Sequence, residues 1–242
     1  MKKYVLSLLI IVMLISLFAC SNENTNKNDT DLSISPTGLI VVTASPSPTA
    51  DNSSVNNNQD ENISIEDIMN HPITSESDFK VKETDNGCCE IVDYSGSDSI
   101  VVIPETVEGL KVIGIRHRAF YFDKNIVGLK LSDTIEYVDY EAFMMSKKLK
   151  YVVCGMSLKK IREHAFFNCE ELSEVKLNEG IEFLGGAAFG LCDKLMSIYI
   201  PQSATEINSF GSTHGDFTIY GVAGSKAESY AAEKGFKFVP VS

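Results

Sequence analysis

The 242-residue chain is predicted to fold as an α+β repeat solenoid, a short stack of 23-residue units with a parallel β ladder and short helical turns. Three observations predict it. Ala119-Phe120, Ala142-Phe143, Ala165-Phe166 and Ala188-Phe189 recur at one fixed spacing. The same spacing links Ile126, Leu149, Leu172 and Leu195, and again Leu131, Cys154, Leu177 and Ile200. Four residues before each Ala stands an aliphatic residue: Ile115, Val138, Ile161 and Leu184.

Each unit reads as a period-two segment such as Leu172-Ser173-Glu174-Val175-Lys176-Leu177, then a polar turn, then an apolar residue and Ala-Phe in a short helical turn. A unit of that size has no second layer against which to bury its apolar side. Stacking at about 4.8 Å, the spacing between paired strands, merges the apolar columns into one core and makes the short segments a parallel ladder. The Phe column then lines the far wall of that core.

The open ends of such a stack expose apolar columns and unpaired strand edges, so caps are required. Residues 79–99 supply the first: Phe79 to Thr84 and Cys88 to Tyr94 flank Asp85-Asn86-Gly87, a tight hairpin turn. Repeats occupy residues 100–217. Residues 218–242 supply the second cap, where Ser225 and Glu228 form a capping box and Ala227, Tyr230 and Ala231 share one helical face. Gly235 ends that helix, and Phe236 and Phe238 begin a closing strand.

Ahead of the folded part, Lys2 and Lys3 precede an apolar run from Tyr4 to Ala19 that stops at Cys20. Residues 1–19 read as a signal peptide. A retained transmembrane anchor is the alternative, but the run is short for a span and no basic cluster follows it. Leu17-Phe18-Ala19-Cys20 resembles the bacterial lipoprotein signal, with Phe18 bulkier than that family's usual residue. The resemblance implies diacylglycerol on Cys20 and cleavage just before it, which places the chain on the outer side of a bacterial membrane or at the cell surface. Residues 20–78 read as the lipidated N-terminus and an Asn/Ser/Thr-rich tether, whose flexible-coil span is about 40 Å.

The repeat pattern is apolar-x-x-apolar-x-apolar, with Pro following at Ile103-Pro104 and Ile200-Pro201, then apolar-x-x-x-Ala-Phe and a Cys position. This resembles the BspA-like, or treponemal, class of leucine-rich repeat, over about residues 79–242. Three places depart from the pattern. The first unit carries extra residues at Glu108-Gly109-Leu110-Lys111, the third has Cys154-Gly155 in place of Ile-Pro, and the fifth has Gly211-Ser212 in place of Ala-Phe.

No catalytic constellation is present: the histidines His71, His117, His164 and His214 occupy non-equivalent repeat positions, and no metal-ligand spacing or phosphate loop occurs. A non-enzymatic protein with no cofactor and no metal is the expectation. The net charge of −12 disfavours nucleic acid as a partner. Cys169 and Cys192 share one repeat position and read as buried thiols filling gaps, and Cys88-Cys89 as part of the capping hairpin. The ladder positions that point away from the core include Val102, Lys130, Tyr151, Val153, Lys176 and Tyr199, a row suited to an extended ligand. That row is the candidate binding face; selection of Val and Tyr by β-propensity alone is the competing account. The resemblance includes surface proteins that attach to other cells, which implies an adhesin-like module for an extracellular protein or glycan. An envelope spacer without a ligand is the alternative.

Cys20→Ala is expected to move the protein from membrane fractions to the soluble fraction, because the acyl attachment site is gone. Retention of the variant on membranes through high-salt washing would show that lipid on Cys20 is not the anchor.

Overall fold

A computed structural model describes residues 63–209, 211 and 216–241. The leader, Cys20, the tether up to residue 62 and His214 lie outside the described residues. A short helix α1 (Ile65–Asn70) and a 3₁₀ turn (Glu76–Asp78) come first, so the stretch expected to remain tether through residue 78 is folded from residue 63 onward. The predicted hairpin comes next as β1 (Phe79–Glu83) and β2 (Cys89–Tyr94), antiparallel around Gly87, whose φ of 75° is the left-handed conformation that such a turn requires.

Each rung then contributes a pair of short strands. They are β3 (Ile100–Val102) with β5 (Leu110–Ile115), β6 (Gly128–Lys130) with β7 (Tyr137–Val138), and β8 (Tyr151–Val153) with β9 (Lys160–Ile161). The pairs β10 (Glu174–Lys176) with β11 (Phe183–Leu184) and β12 (Ser197–Tyr199) with β13 (Glu206–Ile207) complete the stack. The extra residues of the first rung add β4 (Thr106–Val107), which folds back antiparallel onto β5 through Glu108 and Gly109, both left-handed.

One parallel sheet runs β10-β8-β6-β3, with Val101, Leu129, Val152 and Val175 in register and pointing into the core. This is the expected ladder. A second sheet, β1-β2-β5-β7-β9-β11-β13, aligns Ile115, Val138, Ile161, Leu184 and Ile207. The aliphatic residue before Ala-Phe therefore sits in a strand column of its own, and the helical turn is confined to the Ala-Phe residues after it. There the Ala119, Ala142, Ala165 and Ala188 N–H groups donate to the carbonyl three residues back, each closing a tight turn whose third residue is left-handed. At the third rung the ladder stays regular because Gly155 carries no side chain: a Cβ there would overlap the Ser132 carbonyl of the preceding rung.

The turns are linked from rung to rung by backbone hydrogen bonds. Phe120, Phe143 and Phe166 each donate an N–H to the Ala carbonyl of the next rung, all at 2.8 Å. Their rings form a continuous stack, with centroids 4.6 Å apart for Phe120–Phe143, 5.1 Å for Phe143–Phe166 and 5.5 Å for Phe166–Phe189. Tyr94 of the hairpin extends the stack, 5.2 Å from Phe120, so the cap supplies the ring that a preceding rung would have supplied.

Cys89, Cys154, Cys169 and Cys192 are free thiols. Cys169 and Cys192 donate to the Phe143 and Phe166 carbonyls at 3.3 and 3.2 Å, and Ser146, one rung earlier, donates to Phe120 at 2.9 Å. The column thus selects a small side chain with a hydrogen-bond donor. Burial pushes the Cys192 thiol up to about 12, which keeps it a donor at neutral pH.

At the C-terminal end β14 (Thr218–Val222) pairs parallel with β12 and β15 (Lys237–Val241) parallel with β14 in a third sheet, and α2 (Lys226–Lys234) lies over β13 and β14. Ala227, Tyr230 and Ala231 are its buried face, and left-handed Gly235 ends it, both as the sequence predicts. The capping box does not form. Ser225 makes no side-chain cap bond, and the Glu228 carboxylate accepts instead from the Gly224 N–H at 2.7 Å, one residue earlier. The left-handed backbone of Gly224 (φ 81°) is what brings that N–H within reach.

Phe166 is fully buried between two parallel rings. Phe166→Ala is expected to destabilise the domain by about 3–5 kcal/mol, as buried Phe truncations do. Chemical denaturation measures this, and an unchanged midpoint would contradict a core role for the stack.

Candidate functional site

The outward face of the ladder is where the sequence places a ligand, and the structure brings Val102, Lys130, Tyr151, Val153 and Lys176 together there. It also covers them. Helix α1 lies across β3, β6 and β8 and starts at a full capping box: Ser64 Oγ accepts from the Asp67 N–H at 3.2 Å, and the Asp67 carboxylate accepts from the Ser64 N–H at 2.7 Å. The Ser64 hydroxyl, which donates to the Asp67 carboxylate at 2.6 Å, and then the Ser64 N–H hold that carboxyl below its ordinary pKa. Ile68 is fully buried and drops into the notch left by Gly128, where a Cβ would stand 2.6 Å from its side chain. Ile100, Val102 and Val153 wall that notch, and Ile63, Ile65 and Tyr151 pack around it.

Polar contacts fix the cover in place. Lys130 Nζ donates to the Met69 carbonyl at 2.8 Å, and Lys176 Nζ approaches Met69 Sδ at 3.9 Å. Both cations stand at the C-terminal end of α1, where they offset its dipole. Thr74 pairs with the open edge of β3, its N–H donating to the Val102 carbonyl at 3.1 Å and its Oγ1 accepting from the Val102 N–H at 3.0 Å. The expectation of an open row is therefore corrected at Val102 and Val153, which are buried: an aliphatic face of this kind is covered by the nearest apolar segment of its own chain. Tyr199 lies two rungs beyond Val153, half-buried, with its hydroxyl donating to Glu179 at 2.8 Å. Burial first, then that carboxylate, pushes it up to about 12.

A second surface escapes the sequence reading. The two positions after each Ala-Phe hold Tyr121-Phe122, Met144-Met145, Phe167-Asn168 and Gly190-Leu191. Arg118, Glu141, His164 and Ala187 before the buried Phe, and Phe122, Met145, Asn168 and Leu191 after it, all have left-handed backbone. That alternation turns the Phe ring inward and leaves its neighbours on the wall. Tyr121, Phe122 and Tyr140 are 41, 44 and 41% exposed despite their size. The Arg118 guanidinium lies 5.0 Å over the Tyr121 ring, and His117 stacks on Tyr140 at 5.2 Å. Beneath them Glu141 accepts from Arg118 at 2.6 Å with His117 at 3.5 Å. The concavity beside Phe122, Lys124, Met145, Lys147 and Lys148 holds only about 210 Å³. Small-ligand pockets run to about 300–1,000 Å³, so this wall suits a macromolecular surface better than a small molecule.

A model of the BspA type leucine-rich repeat region matches residues 101–213 in six copies. A leucine-rich repeat protein of T. pallidum is 25% identical with a TM-score of 0.59, over 62% of this chain and 71% of that one. A leucine-rich cell surface protein of Faecalibacterium prausnitzii A2-165 is 21% identical with a TM-score of 0.52, and a leucine-rich repeat protein of Bacteroides ovatus ATCC 8483 is 22% identical with a TM-score of 0.55. The chain covers 65 and 66% of its own length in these two matches but spans only 47 and 42% of theirs. These likenesses establish the fold. No curated protein matches the chain.

Among the described residues no group of His, Cys, Asp and Glu is placed to hold a metal, and no helix is long and apolar enough to cross a membrane. The walls of the stack are where its exposed side chains gather. The turn wall was findable, because its residues fall in two adjacent repeat columns that are apolar in nearly every rung. Their outward direction, however, depends on left-handed backbone that no residue type there demands.

Burial opposes the charge on Glu141, but hydrogen bonds from Tyr140, Arg118 and His117 outweigh it and hold the carboxyl below 4.5. Its contribution is complete above about pH 4.5 and is lost as pH falls through the lower folded-state value. Glu141→Gln is expected to cost about 1 kcal/mol at neutral pH, after allowance for screening at its half-exposed partners. Thermal melts of both proteins should converge in strong acid. A gap that persists there would mean the charge is not what stabilises this rung.

Proposed function

We propose that the protein is a lipid-anchored bacterial cell-surface module whose BspA-type solenoid docks an extracellular protein or glycan through its turn wall. The carrying observation is the exposed row Tyr121, Phe122 and Tyr140, continued by Met144, Met145 and Phe167 over three adjacent rungs. Aromatic residues, Met and Arg are the side chains enriched where proteins meet, and Arg118 joins them here. An envelope spacer without a ligand gains nothing from large aromatic groups held in water.

Surface placement rests on the apolar leader ending at Cys20 and on the likeness to a solved structure described as a cell surface protein. The acyl chains on Cys20 supply the anchor, since each buried CH₂ contributes about 0.8 kcal/mol and a second chain makes attachment firm. Residues 21–62 then stand between lipid and folded domain.

The test is a glycan array and a surface-protein extract probed with the full chain and with the triple variant Tyr121→Ser, Phe122→Ser, Met145→Ser. Partners captured by the wild type should bind the variant at least about tenfold more weakly, the loss expected when aromatic anchors are removed from an interface. Equal capture by a variant with wild-type circular dichroism would exclude the turn wall as the docking surface.

A further inference from the structure

Helix α1 has six residues, whereas isolated helices remain marginal below about 12–15 residues. It is therefore a helix only while docked, and its dock is specific. The Gly128 notch admits one aliphatic side chain, Lys130 meets the carbonyl at the helix end, and the β3 edge takes the Thr74 peptide. Residues 63–74 thus behave as a ligand that happens to be joined to its receptor.

The join is short, and its ties to the domain are at its far end: the Glu76 carboxylate accepts from the Glu108 N–H at 3.1 Å and the Asp78 carbonyl from the Ser95 N–H at 2.9 Å. Between Thr74 and β1 run Ser75 to Asp78, which span up to about 13 Å when extended. On the outer side of the docked segment Met69 and Ile73 are 46 and 66% exposed, an apolar pair beside that join.

We propose that the ladder face is an interface between two copies of this chain, in which residues 63–74 of each copy dock on the ladder of the other. Both arrangements bury the same surfaces, which makes reciprocal exchange a low-cost route to a dimer. Covering Met69 and Ile73 adds to the exchanged form. In a dilute solution the attached segment prevails, because a short join gives it an effective concentration in the millimolar range. Crowding of copies on one surface shifts the balance toward exchange. The turn wall takes no part in this contact.

Two single variants of the full chain, each also carrying Cys20→Ala for solubility, test it by complementation. Ile68→Asp spoils the segment and leaves the face intact. Gly128→Leu fills the notch and leaves the segment intact; the atoms nearest its new Cβ belong to Ile68 and Ile100, so the rung itself is spared. Alone, each variant should sediment as a monomer. Mixed, they should form a 1:1 dimer, with about tenfold more dimer than either gives alone, because the intact segment of one finds the intact face of the other.

A mixture of folded variants that stays monomeric near about 1 mM would show that the segment docks only within its own chain. Dimer that persists after Ile68→Asp is added to the Gly128→Leu copy would trace to general stickiness and equally overturn the proposal. Should Gly128→Leu fail to fold, Val153→Asp spoils the face in its place. Adding the triple turn-wall substitutions to both variants should leave the yield of mixed dimer unchanged, which separates this result from the docking function.

Discussion

Everything in this molecule depends on a 23-residue unit being unable to bury its own apolar side. Each rung presents a ladder residue, a second-strand residue and a Phe to a core that exists only when neighbours close it. The Phe stack makes the dependence concrete: Phe143, Phe166 and Phe189 lie nearly parallel, at 7 and 6° between successive planes, and a ring removed from the middle loses contacts on both sides. Stability is therefore held between rungs, and each end must imitate a rung. The N-terminal hairpin does so with Tyr94 at the end of the stack, and α2 does so with Tyr230 and its two Ala neighbours.

The turn wall shows the cost of that arrangement. In each of the first four rungs two non-glycine residues adopt left-handed backbone, at about 1–2 kcal/mol each. In return the turn aims its N–H groups at the next rung and drives one Phe into the core. Inter-rung hydrogen bonds contribute about 1 kcal/mol apiece and burial of the ring about 1.5–3 kcal/mol, so the rung breaks even or better. The same geometry leaves the flanking side chains in solvent. An exposed aromatic row is thus a place where the backbone has already met its energetic requirements, and the identity of those side chains is free to serve recognition.

Much of this was legible in the chain. Fixed spacing gives the registers of both sheets, and Asn86-Gly87 and Gly235 give the ends of a hairpin and a helix, because each rests on a local rule. The second strand column was not separable from the helical turn, since two residues carry no period. Segment 63–74 was missed for a related reason: six helical residues carry too little pattern to stand out from an Asn/Ser/Thr-rich run. One signal was available. Ser64-Ile65-Glu66-Asp67 is a capping-box spacing with Ile63, Ile65 and Ile68 around it, and Gly128 is the one ladder residue in its column without a side chain to fill the face. At Ser225 the same spacing misled, because a left-handed glycine just before it offered Glu228 a closer donor.

The ladder face and the segment on it answer a question that the sequence left open. Alternating aliphatic and Lys residues at Val102, Lys130, Val153 and Lys176 admitted two accounts, β-propensity or recognition. The structure gives each of them a partner in residues 63–74: the valines border the Ile68 notch, Val102 also pairs with Thr74, and the lysines stand at Met69. β-propensity would choose Val without requiring a Gly beside it, whereas a notch requires both. The contacts with residues 63–74 thus account for the row better than β-propensity alone. The turn wall, on a separate face, keeps its aromatic row clear of the segment, so cover on one wall leaves the other open to a partner.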